Sequence, residues 1–490
     1  MKNPGRRSQV CYNPRMSKGL PKVLLVKYHD TNIRPIPDHA ERTLQIFPSL
    51  GILYLAAVLR EEGFPVEVLD ANAENLSAQA FHQRVRDSQA RIVGFTSMTA
   101  GWPSTIEGAG IVREALPEAL VVVGGPQLSI HPELCLSFPQ LDLGVCGDGE
   151  ETLLEVARAL AGGTSLEEIP GTVVKIDGEI RKNPERTWHR DIDRYPFPAV
   201  DLLDWNLYRA LTVQTPFYTM VTTRGCPFKC RFCSQIYAGN TVRFRSPENV
   251  VDEIELYVRK HGAREIVFFD ETFTLNKARV MRICQLIRER GLVFRFDMRT
   301  RVDSLDEEMV LALREAGGQR VHFGIESGAQ EILDRMGKQT TVDQVRTAVS
   351  LCKKHGFSTR GYFMIGYLGE TPQTYAETLK VARELDLDWA SFSITTPLPQ
   401  THLFDEARDL GLVDEGFWRD YTLLQSPRLQ FPIIESEYWD EARLQKMLKR
   451  AYSSFYLRPR MVWRHLTGLR GWEGLRNLVG GVRVMLSLQR

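Results

Sequence analysis

Two hydrophobic patterns alternate along most of the chain. Short runs such as "KVLLVKYH" (Lys22–His29), "VEVLD" (Val66–Asp70), "IVGFTSMT" (Ile92–Thr99), "LVVVGG" (Leu120–Gly125) and "LGVCGDG" (Leu143–Gly149) are apolar at nearly every position. Strands covered on both faces read this way. Between them apolar residues recur at helical spacing. In "LGILYLAAVLREEG" Leu50, Leu53, Tyr54 and Ala57 share one face, with Ser49 at the N-cap and Gly63 at the stop. The alternation predicts an α/β, doubly wound domain with a parallel sheet over residues 21–165. Residues 1–20 are polar and basic, without the apolar core of a secretory signal. They read as a disordered tail, within which Met16 offers a second start.

Over 166–211 the pattern changes. "GTVVKIDGEIRKN" predicts a hairpin turning at Asp177-Gly178, and "RYPFPAVDLLDW" is a Pro- and aromatic-rich connector, so this stretch reads as a linker. From 212 to 435 strand-like runs return at Tyr218–Thr223, Glu265–Asp270, Phe294–Arg299, Arg320–Ile325, Thr359–Ile365 and Ala390–Thr395. The helices between them are signposted. Ser246-Pro247 opens one with a Val250, Ile254, Val258 stripe. Ser304 with Glu307, and Thr341 with Gln344, have capping-box spacing, and Gly317 and Gly356 close those helices. Successive β/α units predict a partial (β/α)6 barrel whose site lies at the carboxyl ends of the strands. Residues 436–490 form a basic, helical C-terminal extension.

Composition leaves this picture intact: 43% hydrophobic and 25% charged residues are those of a soluble protein. No apolar run reaches the roughly 18 residues of a membrane span. Five of the 8 cysteines are scattered singly, which is no disulfide framework, so a cytoplasmic location is expected. Charge does change the picture. The net charge is +1, yet residues 441–490 hold eleven lysines and arginines against two glutamates, leaving the remainder acidic. Four uses suit such a segment: packing on that acidic remainder, docking an acidic flavodoxin or ferredoxin, peripheral association with an anionic membrane at its inner face, or nucleic-acid binding. The last is not expected, because no recognition module accompanies it.

The remaining cysteines, Cys226, Cys230 and Cys233, fall in "TTRGCPFKCRFCSQ" with spacing C-x3-C-x2-C, just after the first strand of the second half. A structural zinc site would need a fourth ligand and a paired knuckle. A disulfide fits neither the compartment nor the odd number. A 4Fe–4S cluster needs one thiolate per iron, so three ligands leave one iron open. This reading is preferred, and Arg224, Lys229 and Arg231 favour thiolates beside it. Elsewhere, the strand ends "TSMT", "GGPQ" and "GDGEE" stand where doubly wound domains bind ligands, or are plain turns. Asp270 with Glu271 is either a like-charge pair tuned for proton work or a helix cap followed by a neighbour.

The run "RGCPFKCRFC" resembles the cluster loop of radical S-adenosylmethionine enzymes. The resemblance implies that Cys226, Cys230 and Cys233 hold a 4Fe–4S cluster whose open iron chelates S-adenosylmethionine. It also implies S-adenosylmethionine contacts from Phe232, from Glu271 in "FFDETF", Glu326 in "FGIESG" and Gly366 in "FMIGYLGET". A doubly wound domain, the "RYPFPAVDLLDW" connector and then this loop are similar to the cobalamin-binding subclass, which includes radical methylases and the anaerobic magnesium-protoporphyrin monomethyl ester cyclase. In that light Thr96, Ser97, Gly124, Gly125 and Gln127 line the nucleotide tail of cobalamin. There are departures. No D-x-H-x-x-G follows the first strand, so His29 and His39 are read as loop residues and no protein ligand to cobalt is assigned. Gln127 stands where many relatives have histidine, and Gln400 where glycine is usual. The resemblance implies a methyltransferase acting on an unactivated carbon of a small-molecule or lipid substrate through a 5′-deoxyadenosyl radical. The alternatives are an oxidative cyclase or a non-catalytic sensor. A methylthiotransferase would need a second cysteine triad, which Cys11, Cys135 and Cys146 do not form.

Overall fold

The structure is a computed structural model that describes residues 19–29, 45–210, 212–234, 241–426 and 431–467. Nearly all of the expected tail, with Cys11, as well as His39 and the chain after 467, lies outside them. Five parallel strands, β1 (Val23–Lys27), β2 (Val66–Asp70), β3 (Ile92–Thr96), β4 (Leu120–Gly124) and β5 (Leu143–Val145), form the first sheet in the order β2-β1-β3-β4-β5. The near-continuous apolar runs follow from cover on both faces. Leu24, Val26, Val93 and Val121 pack with Trp102 and Ala109 on one side. Val23, Leu25, Ile92 and Val122 pack with Ile52, Ala56 and Leu59 on the other.

The predicted hairpin forms, as β6 (Thr172–Ile176) and β7 (Glu179–Lys182), with Asp177 at φ 51° and Gly178 at φ 87°. It is not free linker: β6 pairs antiparallel with β5, Leu143 opposite Val174, so the first sheet continues to Lys182. Without it β5 would be an open edge. At the end of β4, Gly125 adopts φ 99° and ψ -178°, and a Cβ there would lie 2.7 and 2.8 Å from the Ser97 backbone O and N. Gly125→Ala is therefore expected to cost about 1–3 kcal/mol from backbone strain, read as a lower urea midpoint at unchanged m.

The second sheet has six parallel strands in chain order: β8 (Phe217–Met220), β9 (Glu265–Phe268), β10 (Arg295–Thr300), β11 (Gly318–Glu326), β12 (Ser358–Ile365) and β13 (Trp389–Ile394). Each lies within two residues of its expected run, except that β8 ends three residues early, at Met220. Ile266, Phe296, Val321, Phe323 and Ile365 pack outward against Val250, Ile254, Ile283, Leu313 and Val349 of the covering helices. Strands β8 and β13 do not pair, so the barrel is partial. Its open edge is capped by side chains. From the helix Glu441–Tyr456, Tyr452 Oη lies 3.2 Å from the Phe392 N and 3.0 Å from its O, and Tyr456 Oη lies 3.0 and 2.8 Å from those of Ala390. Among the four uses weighed for the basic segment, its described part packs on the barrel. No helix among the described residues is long and apolar enough to cross a membrane.

Two local expectations are corrected. Ser304 does not cap the helix Glu307–Glu315; Asp306 does, accepting from Met309 N at 2.9 Å, while the Ser304 hydroxyl lies 2.6 Å from that of Thr274. A carboxylate next to the first turn outcompetes a hydroxyl already engaged. Asp270 is no cap either, since Asn276 caps the next helix.

Candidate functional site

The three cysteines lie on the loop that leaves β8, as expected from their position in the chain. A short antiparallel ladder, Thr223 opposite Phe244 and Arg224 opposite Arg243, brackets that loop at its base. Gly225 turns it at φ 94°. Its far side is pinned by backbone: Arg231 N donates to Met336 O at 2.9 Å, and Leu403 N to Arg231 O at 2.9 Å. The Arg301 guanidinium lies 3.7 Å above the Phe228 ring. Cys226 and Cys230 are half-buried and Cys233 exposed, all as free thiols. Burial pushes the Cys230 thiol up, while Lys338 and Arg301 pull it back. The Cys233 thiol, though its residue reaches the surface, is pushed up to about 11 by desolvation from the protein around the loop and by the neighbouring thiols.

Among the described residues no three His, Cys, Asp or Glu side chains converge as ligands of one metal ion. A four-iron cluster asks for something else, one sulfur per iron. A loop carrying three free thiols with two cations beside them has the donor set and the charge for it, because binding iron replaces the thiol protons.

Around this loop the structure gathers most of the expected S-adenosylmethionine residues. The Phe232 ring is 6.5 Å from that of Tyr367 and packs against the apolar cluster that contains Tyr367, Leu333, Met336 and Leu403. Glu326, at φ 67° on the end of β11, accepts from Lys338 Nζ at 2.9 Å, and the same ammonium lies 5.9 Å from the Phe232 ring. Lys338 thus joins Phe232, Glu326 and Cys230. It was not among the sequence candidates, because "MGKQT" is an ordinary helix-exit turn carrying no recognisable motif. Glu271 lies just past the end of β9; its carboxyl is raised, mainly by desolvation, with Asp270 adding to the shift and Arg299 opposing it, and its charge raises Cys233 in turn. Its neighbour Asp270 is fully buried. It accepts from the Thr222 N and Oγ1 at 2.9 Å and the Thr223 Oγ1 at 2.6 Å, bracing the strand from which the cluster loop springs.

Gly366, at φ 74°, donates its N–H to the Glu370 carboxylate at 2.6 Å. Glu370 is buried, its other oxygen has no hydrogen-bond partner among the described residues, and burial pushes its carboxyl up to about 7. A carboxyl held above its unfolded value of 4.5 stabilises the fold fully below that value, and the stabilisation is lost as pH rises through about 7. Glu370→Gln, which keeps an acceptor for Gly366, is expected to flatten the stability profile between pH 5 and about 8 and raise stability at its alkaline end, measured by urea unfolding across pH.

The residues expected around cobalamin form one connected set at the ends of β3 and β4. Ser97 N donates to Gly124 O at 2.9 Å and Gln127 N to Ser97 O at 3.2 Å, with Gly125 and the Thr96 hydroxyl packed between. The Ser97 hydroxyl lies 3.0 Å from that of Thr105. Gln127 is fully buried and gives its amide to Thr422 Oγ1 at 2.9 Å. Thr422 belongs to a segment following the barrel that returns to this domain: Tyr421 Oη donates to Thr99 O at 2.8 Å, and Gln400 Nε2 to Ile130 O at 3.0 Å. Gln400 has φ 59°, the left-handed backbone that explains why glycine is usual there. His29 lies 2.7 Å from the Leu76 carbonyl.

The two halves meet beside the cysteines. Arg224, immediately before Gly225-Cys226, pairs with Glu150 at 2.5 Å and Asp148 at 3.2 Å at the end of β5, and Arg243 pairs with Asp148 at 2.6 Å. The strand ends of the first sheet and the cysteine loop of the second are thus tied to one ion cluster.

The radical SAM superfamily sequence model matches residues 220–382, and that of the B12 binding domain residues 40–157. The chain is 36% identical over 439 residues to the uncharacterized methyltransferase PH0819 of Pyrococcus horikoshii, spanning 89% of this chain and 94% of that one. It is 29% identical over 419 residues to the anaerobic magnesium-protoporphyrin IX monomethyl ester cyclase of Rubrivivax gelatinosus, over 84% of this chain and 74% of that one. Its fold is similar to that of the radical S-adenosylmethionine methyltransferase TsrM of Kitasatospora setae, solved with cobalamin and a [4Fe–4S] cluster. There the TM-score is 0.72 at 20% identity, over 96% of this chain and 99% of that one.

Proposed function

Because the chain belongs to the cobalamin-binding branch of the radical S-adenosylmethionine superfamily, we propose that it transfers a methyl group to an unactivated carbon of a small-molecule substrate. As a member of that family it is an enzyme whose cofactors are a 4Fe–4S cluster, S-adenosylmethionine and cobalamin. When bound, these groups supply radical hydrogen abstraction and a transferable methyl group; the chain supplies placement and electrostatics. Cys226, Cys230 and Cys233 would hold the cluster. Phe232, Glu271, Glu326 and Gly366 would line S-adenosylmethionine, and Thr96, Ser97, Gly124, Gly125 and Gln127 the cobalamin.

The observation that carries the reading is the Arg224–Glu150 pair. It sets the cysteine loop against the strand ends of the B12-binding domain, where a methyl donor must face the carbon it methylates. The test is anaerobic. Reconstituted protein with cobalamin, dithionite and methyl-labelled S-adenosylmethionine is expected to form 5′-deoxyadenosine and to move label into an acceptor from a cell extract. Deoxyadenosine without label transfer would favour the cyclase reading, which the cyclase relative supports. No deoxyadenosine at all would leave the sensor reading.

The reaction consumes electrons, and an acidic flavodoxin or ferredoxin suits the basic segment 441–490 as their source. A lipid substrate would suit peripheral membrane association through the same segment. Equal liposome flotation of the full chain and of one ending near residue 440 would remove that second role.

A further inference from the structure

The inner face of the barrel carries a charge pattern that none of these roles uses. Parallel strands in register present matched residues to one face. Met298, Val321 and Phe323 face the helices, which turns Asp297, Arg299, Arg320, His322, Arg360 and Tyr362 inward. The register places Asp297 beside Arg320, Arg299 beside His322, His322 beside Arg360, and Arg360 beside Trp389. The deeper layer is neutralised: Arg320 is ion-paired with Glu265 and lies 3.4 Å from Asp297.

The layer nearer the strand ends is not. Arg299 and Arg360 are both half-buried, and among the described residues neither forms an ion pair with a carboxylate, although the Arg299 charge reaches Glu271 and pulls its carboxyl down. Arg299 donates to the Phe268 carbonyl at 3.3 Å and lies 4.2 Å from the Phe269 ring, while Arg360 lies 5.9 Å from the Trp389 ring. Between them His322 is buried, with Nδ1 3.0 Å from Tyr362 Oη and Nε2 3.4 Å from Asp297 Oδ2. Toward the strand ends the next layer holds Gly324, Tyr362 and Ser391, and the Glu326 carboxylate and Lys338 ammonium fill the space over Gly324.

Arg320, in the same sheet, has carboxylates at ion-pair distance, whereas among the described residues Arg299 and Arg360 have none. Two half-buried cations on one wall repel each other and lose hydration. An oxyanion placed between them reverses both costs, and the planar fork of arginine fits it. We infer that this layer is where the substrate's own anionic group, a carboxylate or phosphate, is held by Arg299 and Arg360, with the Phe269 and Trp389 faces beside it. The inference rests on the reading that the barrel is where the substrate reacts.

Phenylacetate and phenylacetamide, alike in shape and differing in charge, serve as probes with the cluster- and cobalamin-loaded protein in isothermal titration. The acid is expected to bind about tenfold or more tightly than the amide, as a charge-assisted bidentate contact would give. Arg360→Gln should shrink the preference to within about twofold and Arg360→Lys keep part of it, since lysine retains the charge but not the fork. Iron and cobalamin absorbance confirm that each variant is folded. Equal affinity for both probes in the unaltered protein overturns the inference. So does a preference that survives both Arg360→Gln and Arg299→Gln. Deoxyadenosine formation, measured on the same preparation, reports separately on the methyl-transfer reading, so loss of one reading is visible without loss of the other.

Discussion

Cys230→Ala is expected to lower deoxyadenosine formation by about a thousandfold or more, a barrier increase of about 4 kcal/mol, while leaving the protein folded. Each thiolate in a three-ligand loop serves a different iron, so removing one leaves two sulfurs, and no other thiol is near enough in the chain to replace it. The same substitution at Cys226 or Cys233 should give the same result. Cys352→Ala supplies the contrast. That thiol is buried in the barrel core, where burial alone holds it protonated, so its loss removes packing and not iron. It is expected to cost about 1 kcal/mol of stability with unchanged iron content. Iron analysis and the visible spectrum of anaerobically loaded protein check both. A triple alanine variant that keeps its iron would end the assignment of these cysteines.

The loop was legible because its chemistry is local: three cysteines within eight positions need no knowledge of the fold. The strands were legible because burial on both faces leaves little room for polar residues. What stayed hidden depends on distant partners. The hairpin was readable from Asp177-Gly178, but its membership of the first sheet follows from the exposed edge of β5, which no nearby residue announces. Tyr452 and Tyr456 read as aromatic residues on a basic helix, and only the fold shows their hydroxyls completing β13. Lys338 lies more than a hundred residues from Phe232 in sequence and reaches it only because the end of β11 faces the cluster loop. Ser304 was misread as a cap because spacing alone cannot tell which of two neighbouring acceptors is already occupied.

Arg224→Gln is expected to destabilise the protein by about 3–5 kcal/mol, because it breaks a buried pair and leaves one charge behind. The Arg224 side chain is 18% exposed and that of Glu150 only 6%, so water replaces little of what is lost. Arg243 still answers Asp148, but Glu150 is left without a cation. The Tyr54 and Tyr195 rings, 5.3 and 5.5 Å from the guanidinium, give an unpaired carboxylate no compensation. Urea unfolding of the loaded protein should show the shift. Arg224→Gln with Glu150→Gln should recover part of it, since the double variant buries no unpaired charge, and the cycle measures the coupling of the pair. A purely structural pair would stop there. Arg224 adjoins Gly225-Cys226, and Glu150 opens a helix at the ligand end of the first sheet. The double variant is therefore expected to stay below the unaltered protein in methyl transfer more than in deoxyadenosine formation, because separating the two crevices spoils the hand-over and not the cleavage. Equal loss of both products would mean that the pair supports the cysteine loop alone.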